Sequence, residues 1–277
     1  MKVIKSVAGM REARSGLAEA VGFVPTMGCL HSGHLSLVSQ AQRENASVVV
    51  SIFVNPSQFG PGEDFERYPR SEAHDLALLE REGVAAVFMP AAAEMYPEGF
   101  NTWVEVESLT DKLEGKLRPG HFRGVATVCS KLFNIVRPHT AYFGQKDAQQ
   151  ALVIRKMVAD LDMHLTIKVM PTLREADGLA MSSRNSYLDP AGRRAAVVLY
   201  RALRLAEALW HSGNSSAGNI ITRMTAFIRQ EPLADIEYIS INDARNLEPL
   251  AVVRVPALVS LAVRVGKTRL IDNVVLE

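Results

Sequence analysis

The chain has 277 residues, 48% of them hydrophobic, which is enough to bury a sizeable core and makes this a globular protein of one large or two ordinary domains. Lysine and arginine together number 31 against 30 acidic residues, so no strong field of one sign recruits nucleic acid or an anionic membrane surface, and a small-molecule partner is expected. Cys29 and Cys129 lack close pair spacing, so neither a disulfide framework nor a cysteine metal site is suggested.

In chain order, the first twenty residues mix charges with short apolar pieces and contain no signal-peptide core, and no apolar run reaches the roughly 18 residues of a membrane span. A cytoplasmic protein is expected. "VGFVP" (21 to 25) and "ASVVVSIFV" (46 to 54) are short branched apolar runs, and "HLSLVSQAQREN" between them sets His34, Leu37, Val38 and Ala41 at helical spacing, so the three predict a β-α-β unit. The theme recurs: "SEAHDLALLEREG" predicts a helix ending at Gly83, "AAVFMP" a strand, "GVATVCSKLFNIVRP" a helix stopped by Pro138, "TAYFG" a strand, and "AQQALVIRKMVADL" a helix before the strand "LTIKVMP". Strands alternating with helices predict an α/β fold with a doubly wound, mainly parallel sheet, whose ligand crevice lies beyond the carboxyl ends of the strands.

After about residue 176 the rhythm changes. Helices over 189 to 210 and 216 to 230 precede the strands "IEYISI", "ALVSLAVRV" and "TRLIDNVVLE", the last two joined by a tight hairpin at Gly266 and Lys267. Residues 1–176 are thus expected to form a nucleotide- and substrate-binding domain and 177–277 a smaller α+β lid domain, with "READGLAMSSRNSYLDP" a mobile closing loop at their junction.

Chemistry concentrates in "PTMGCLHSGHLSLV", which starts at Pro25. Pro25 to Gly33 is the loop leaving the first strand, with Ser32 or Gly33 near the cap of the next helix and His34 in its first turn. Unpaired amides there can hold an anion, and Gly28 and Gly33 let the backbone approach it. The helix's positive end disfavours an imidazolium, so His34 is expected to be neutral in the empty site and to donate a hydrogen bond as charge gathers on a phosphoryl group. An isolated histidine is more often a cap or a packing residue. Zinc binding by the i, i+3 pair is not supported, because no Glu-x-x-His arrangement or third histidine at telling spacing follows. No G-x-G-x-x-G follows the strand, which counts against a nicotinamide enzyme. "GQKD" (144 to 147) also follows a strand, so Lys146 and Asp147 either face the crevice or form a solvated turn pair.

"HSGH" resembles the H-x-G-H signature of nucleotidyl-transferring α/β enzymes, and "MSSRN" is similar to their second signature. With "VSIFVNPSQFGPGEDFERYPR", "RPGHFRGVATVCSKLFNIVRP", "YFGQKDAQQ" and "PTLREADGLAMSSRNSYLD", nearly the whole chain resembles the pantothenate synthetase family, the pantoate–β-alanine ligases. The resemblance implies a Rossmann-like first domain, a homodimer, and formation of a pantoyl adenylate from ATP, accompanied by Mg²⁺, followed by attack of β-alanine. It further implies that Met27, Gly28, Cys29, Leu30, His31, Ser32, Gly33 and His34 line the ATP site with Gly144, Gln145, Lys146, Asp147, Leu173, Met181, Ser182, Ser183 and Arg184. Of these, His34 is the expected proton donor, with His31 and Lys146 on the phosphates. Gln58 and Gln150 match pantoate-binding positions, Gln58 also serves β-alanine, and Asn55 is a further pantoate candidate. Neutral amides suit a carboxylate that must attack the α-phosphorus, since a full salt bridge would damp its nucleophilicity. Cys29 replaces a frequent alanine, Ser32 a frequent glutamate and Leu173 a usual valine. Two other readings compete: an H-x-G-H nucleotidyltransferase acting on an anionic coenzyme precursor, and a synthetase-derived tRNA-binding protein. The balanced charge disfavours the second.

Overall fold

The computed structural model describes residues 1–277, which form two compact units: Met1–Gly144 with Gln150–Pro171, and Gln145–Gln149 with Thr172–Glu277. In chain order the first carries β1 (Lys2–Ile4), α1 (Val7–Ser15), β2 (Val21–Thr26), α2 (Ser32–Glu44), β3 (Ser47–Ile52), α3 (Glu72–Arg81), β4 (Ala86–Phe88), the short α4 (Ala92–Met95) and α5 (Leu113–Leu117), α6 (His121–Val136), β5 (Thr140–Gly144), α7 (Ala148–Asp160) and β6 (Thr166–Met170). The strands form one sheet in the order β1-β4-β3-β2-β5-β6, and every neighbouring pair is parallel. The expected α/β fold is therefore present. From β2 the chain winds outward through β3 and β4, then crosses to β5 and β6 on the other side, so the topological switch point lies between β2 and β5.

The strands read as unbroken apolar runs because both faces of the sheet are covered. Successive residues alternate sides: Val24, Val48 and Val50 pack with Leu37, Val38 and Ala41 of α2 and with Leu79 of α3. Phe23, on the opposite face, meets Phe133 of α6 edge-on at 6.4 Å, and Phe133 meets Phe143 at 6.5 Å. α6 is apolar on nearly every side because the core surrounds it. β1 and α1 have no counterpart among the predicted elements, since three residues at a sheet edge give too short a run to show a period.

The second unit carries α8 (Pro190–Ala195), α9 (Val197–His211), α10 (Ala217–Ile228), β7 (Ala234–Asp243), β8 (Ala257–Val265) and β9 (Thr268–Leu276). Its strands form an antiparallel sheet in the order β7-β8-β9. Leu199 and Leu203 of α9 and Ile220, Met224 and Ile228 of α10 pack on Val259, Leu261 and Val263 of the central strand. The β8–β9 hairpin closes through Gly266 and Lys267, with Val265 paired to Thr268, and Gly266 has φ +55°, the left-handed value that a type II′ turn gives its first central residue. The helix predicted over 189 to 210 is two helices, broken at Ala196.

Candidate functional site

The loop after β2 stands at the switch point. Gly28 takes φ +80°, and a Cβ there would sit 3.0 Å from both an Asp75 carboxylate oxygen and the Ile52 side chain, so only glycine fits without displacement. Cys29 follows in the left-handed region at φ 49°, which costs a non-glycine residue about 1 kcal/mol or more. Asp75 offsets this cost. Buried in the first turn of α3, it accepts from the Cys29 and Leu30 backbone N–H groups, each at 2.8 Å. Gly28 N–H donates to Thr26 Oγ1, so the expectation of unpaired amides in this loop is corrected: the backbone is spent on holding the loop's own shape.

The histidines cap α2. His31 is the N-cap, with Ser32 and Gly33 next to it as expected: its Nδ1 accepts from Gly33 N–H at 3.1 Å, and His34 Nδ1 accepts reciprocally from His31 N–H at 3.4 Å. The rings lie 4.1 Å apart. With each Nδ1 spent as an acceptor, the neutral ring carries its proton at Nε2, on the side away from the helix backbone. Capping and proton donation are therefore compatible in one side chain, and the packing reading and the chemical reading of the pair do not exclude each other.

Asn55 and Gln58 follow β3 in a single turn of 3₁₀ helix, Pro56–Gln58. Asn55 is fully buried: its oxygen accepts from Ser57 N–H, Ser57 Oγ and Tyr96 Oη, while its Nδ2 donates to Gln58 Oε1 at 3.0 Å and Gly124 O at 3.2 Å. Gln58 Nε2 in turn reaches Met27 Sδ at 3.3 Å, which brings the predicted acceptor residues against the histidine loop. α6 clamps this turn from outside. Gly124 allows it, since a Cβ there would lie 2.3 Å from Ser57 O. His121 Nδ1 donates to Gln58 O at 2.8 Å and its Nε2 faces Arg118 at 3.1 Å, Arg118 being forked onto Glu63. Burial first, and then the Arg118 guanidinium, push the His121 imidazole down to about 4, so the ring is neutral at pH 7, as this arrangement requires. Gly144 ends β5, and Gln150 is half-buried in the first turn of α7.

In the second unit, Gln145, Lys146 and Asp147 form one 3₁₀ turn with Lys146 Nζ 3.7 Å from Asp147. Leu173 O accepts from Met181 N–H at 3.0 Å, bringing two predicted ATP residues side by side across the Arg174–Ala180 bridge. Gly178 turns this hairpin at φ +97°, and a Cβ there would strike the Tyr200 ring. Arg193 pairs with Glu175 and Asp177, and Ser182 Oγ accepts from Arg184 N–H. The segment expected to be a mobile loop is thus tied into its own unit by side chains. Asp75, His121 and Gly124 escaped the sequence reading. The trace of Asp75 was a charge in phase with Leu79, four residues on, on the buried side of α3.

We expect Asp75→Asn to lower unfolding stability by about 1 to 3 kcal/mol, because an amide group would face a backbone donor in a dry pocket. Urea unfolding is the check. A midpoint unchanged from the parent would show that the loop holds itself.

A doubly wound parallel sheet with a histidine-capped loop at its switch point defines an α/β enzyme fold with its ligand edge at the carboxyl ends of the strands. The family described as pantoate-beta-alanine ligase matches residues 2–275. A pantothenate synthetase of Herpetosiphon aurantiacus is 57% identical over 277 residues, all of both chains. The crystal structure of a pantothenate synthetase from Thermus thermophilus superposes with a TM-score of 0.95 at 49% identity, covering 99% of each chain. That of a Francisella tularensis pantoate-beta-alanine ligase, complexed with beta-gamma ATP and beta-alanine, gives 0.83 at 34% identity, covering 99% of this chain and 97% of that one. The chain belongs to the pantoate-beta-alanine ligase family, and is a C–N bond-forming ligase that joins pantoate to β-alanine.

Proposed function

We propose that the ligation consumes ATP and runs through a pantoyl adenylate. A pantoate carboxylate oxygen attacks the α-phosphorus as the bond to pyrophosphate breaks; the β-alanine amine then attacks the acyl carbon, expels AMP and loses a proton. The observation that carries this reading is the bond from Gln58 to Met27, which joins the acceptor turn to the histidine loop within one unit. A thioether is a weak acceptor, so the Gln58 amide is held in place yet readily exchanges Met27 for a substrate oxygen. In this reading Gln58 and Gln150 hold pantoate, Gln58 also meets β-alanine, and Asn55 acts by fixing the direction of the Gln58 carboxamide.

His34 donates from Nε2 to the phosphoryl oxygens, His31 stands beside it, and Lys146 supplies a compact positive charge. Met27 to His34, Gly144 to Asp147, Leu173 and Met181 to Arg184 make up the ATP site, with the Ser182 and Ser183 hydroxyls and the Arg184 guanidinium on the departing pyrophosphate. Asp147, beside Lys146, would orient the ribose or hold a magnesium ion accompanying the nucleotide, which would supply positive charge to the phosphates. No helix is long and apolar enough to cross a membrane, and we place the enzyme in the cytoplasm as a homodimer, with residues 1–176 and 177–277 as its functional divisions.

The direct test mixes protein, ATP, magnesium and pantoate, with and without β-alanine, and identifies products by mass. Pantothenate and AMP are expected in equal amounts; ADP as the product would overturn the adenylate route. Gln58→Ala and Gln150→Ala should raise the KM for pantoate by about 10-fold or more, the equivalent of leaving a buried substrate oxygen unpaired, with a much smaller change for ATP. A change confined to ATP in steady-state kinetics would show the acceptor pocket to be misplaced.

A further inference from the structure

Outside the proposed site, β9 forms an edge strand of the second unit. Asn273 on β9 is buried, and its carboxamide makes three hydrogen bonds to the turn that carries Lys146: Nδ2 donates to Gln145 O at 3.0 Å and to Lys146 O at 2.8 Å, while Oδ1 accepts from Gln145 Nε2 at 3.2 Å. Two donors and one acceptor in a plane, at this reach, are what a carboxamide alone supplies. Asn273 is itself held on both sides. Its N–H donates to Asp272 at 2.8 Å, and Arg174, forked onto the buried Asp272 carboxylate at 2.6 and 3.0 Å, also donates to Asn273 O at 3.3 Å. Arg174 directly follows Leu173, so one short piece of β9 braces both the lysine turn and the segment next to a residue assigned to the ATP site.

We propose that Asn273 is the positioning residue for Lys146: by fixing the carbonyls of Gln145 and Lys146 it sets the place from which the ammonium reaches the nucleotide phosphates. This rests on the role given to Lys146 above. A 3₁₀ turn of three residues has little rigidity of its own, and a displacement of about 1 Å in a group that must meet a transition state costs on the order of 10²-fold in rate. Ser260 lies opposite Asn273 in the β8–β9 register, and its buried hydroxyl has no partner, which provides a matched control within the same sheet.

The test uses the full-length protein with Asn273→Ala, Asn273→Asp, Ser260→Ala, Lys146→Ala and the Lys146→Ala/Asn273→Ala pair, reading ATP–pyrophosphate exchange, nucleotide affinity and thermal unfolding. Asn273→Asp keeps the size of the side chain and removes both donors, so it carries the test if the alanine variant does not fold. Either Asn273 variant should lower kcat/KM for ATP roughly 10- to 100-fold and leave the KM for pantoate within about twofold. Ser260→Ala should retain exchange. In the double variant the Asn273 change should add no more than about twofold to the loss from Lys146→Ala, far short of the product of the two single losses that independent residues would give. Undiminished use of ATP by a folded Asn273 variant, a uniform rise in both KM values, or losses that multiply with Lys146→Ala would overturn the proposal. Full exchange by Lys146→Ala would instead overturn the role of the lysine, so the two failures are distinguishable.

Discussion

His34→Ala is expected to fold and to lose about 10² to 10³ in the rate of adenylate formation, the usual cost of deleting one preorganised donor at a developing charge. The side chain has two separable duties. Its Nδ1 closes half of the cap on α2, accepting from His31 N–H, and its Nε2–H is the proposed donor to the phosphoryl group. Loss of the cap alone costs about 1 kcal/mol of stability, and His31 continues to cap Gly33 N–H. His34→Gln separates the duties, because glutamine at the third helical position is the ordinary partner in a capping box and restores that bond without placing a ring N–H at the same reach. We expect His34→Gln to recover most of the lost stability and little of the lost rate, measured by thermal unfolding and by release of pyrophosphate in a single turnover. Recovery of the rate together with the stability would reduce His34 to a structural cap.

The parts of this molecule that the sequence discloses are those governed by local period or local turn chemistry. β2, β3 and β5 stand out because strands buried on both faces are near-continuous apolar runs, and the β8–β9 hairpin stands out because Gly266 interrupts two such runs. The break at Ala196 is invisible because alanine is the best helix former and the apolar phase continues through it. The histidine loop shows where a different limit lies. Its glycines announce a tight backbone, but Asp75, 45 residues along from Leu30, decides that two of its amides face inward and not toward a ligand. Asn273 is more remote still, 128 residues from Gln145 and carried on a strand whose alternation describes only the sheet. The residues proposed to bear the chemistry sit in short motifs beside strand ends; those that brace them come from distant elements, and apart from the phase of Asp75 on α3 spacing does not reveal them.

The sharpest consequence of the adenylate route is an exchange reaction with one substrate missing. With pantoate present and β-alanine rigorously excluded, the protein should move labelled pyrophosphate into ATP, because the first half-reaction is then complete and reversible. Neither ATP alone nor ATP with β-alanine should support exchange, so the expected contrast is between a measurable rate and background. The residues argue for a held intermediate and not a covalent one. Cys129 is the one sulfhydryl in α6, and burial pushes its thiol up to about 12, far from the thiolate a nucleophile needs. On the proposed route the activated acyl group would be protected by exclusion of water, with the 181 to 184 segment as the proposed participant. Replacing Ser182 and Ser183 together by alanine should slow exchange by about 10-fold or more, since both proposed donors to pyrophosphate are lost, and should raise the fraction of adenylate that hydrolyses to pantoate and AMP. Label entering ATP only once β-alanine is added would mean that amine, carboxylate and nucleotide react together, and that no adenylate waits between two steps.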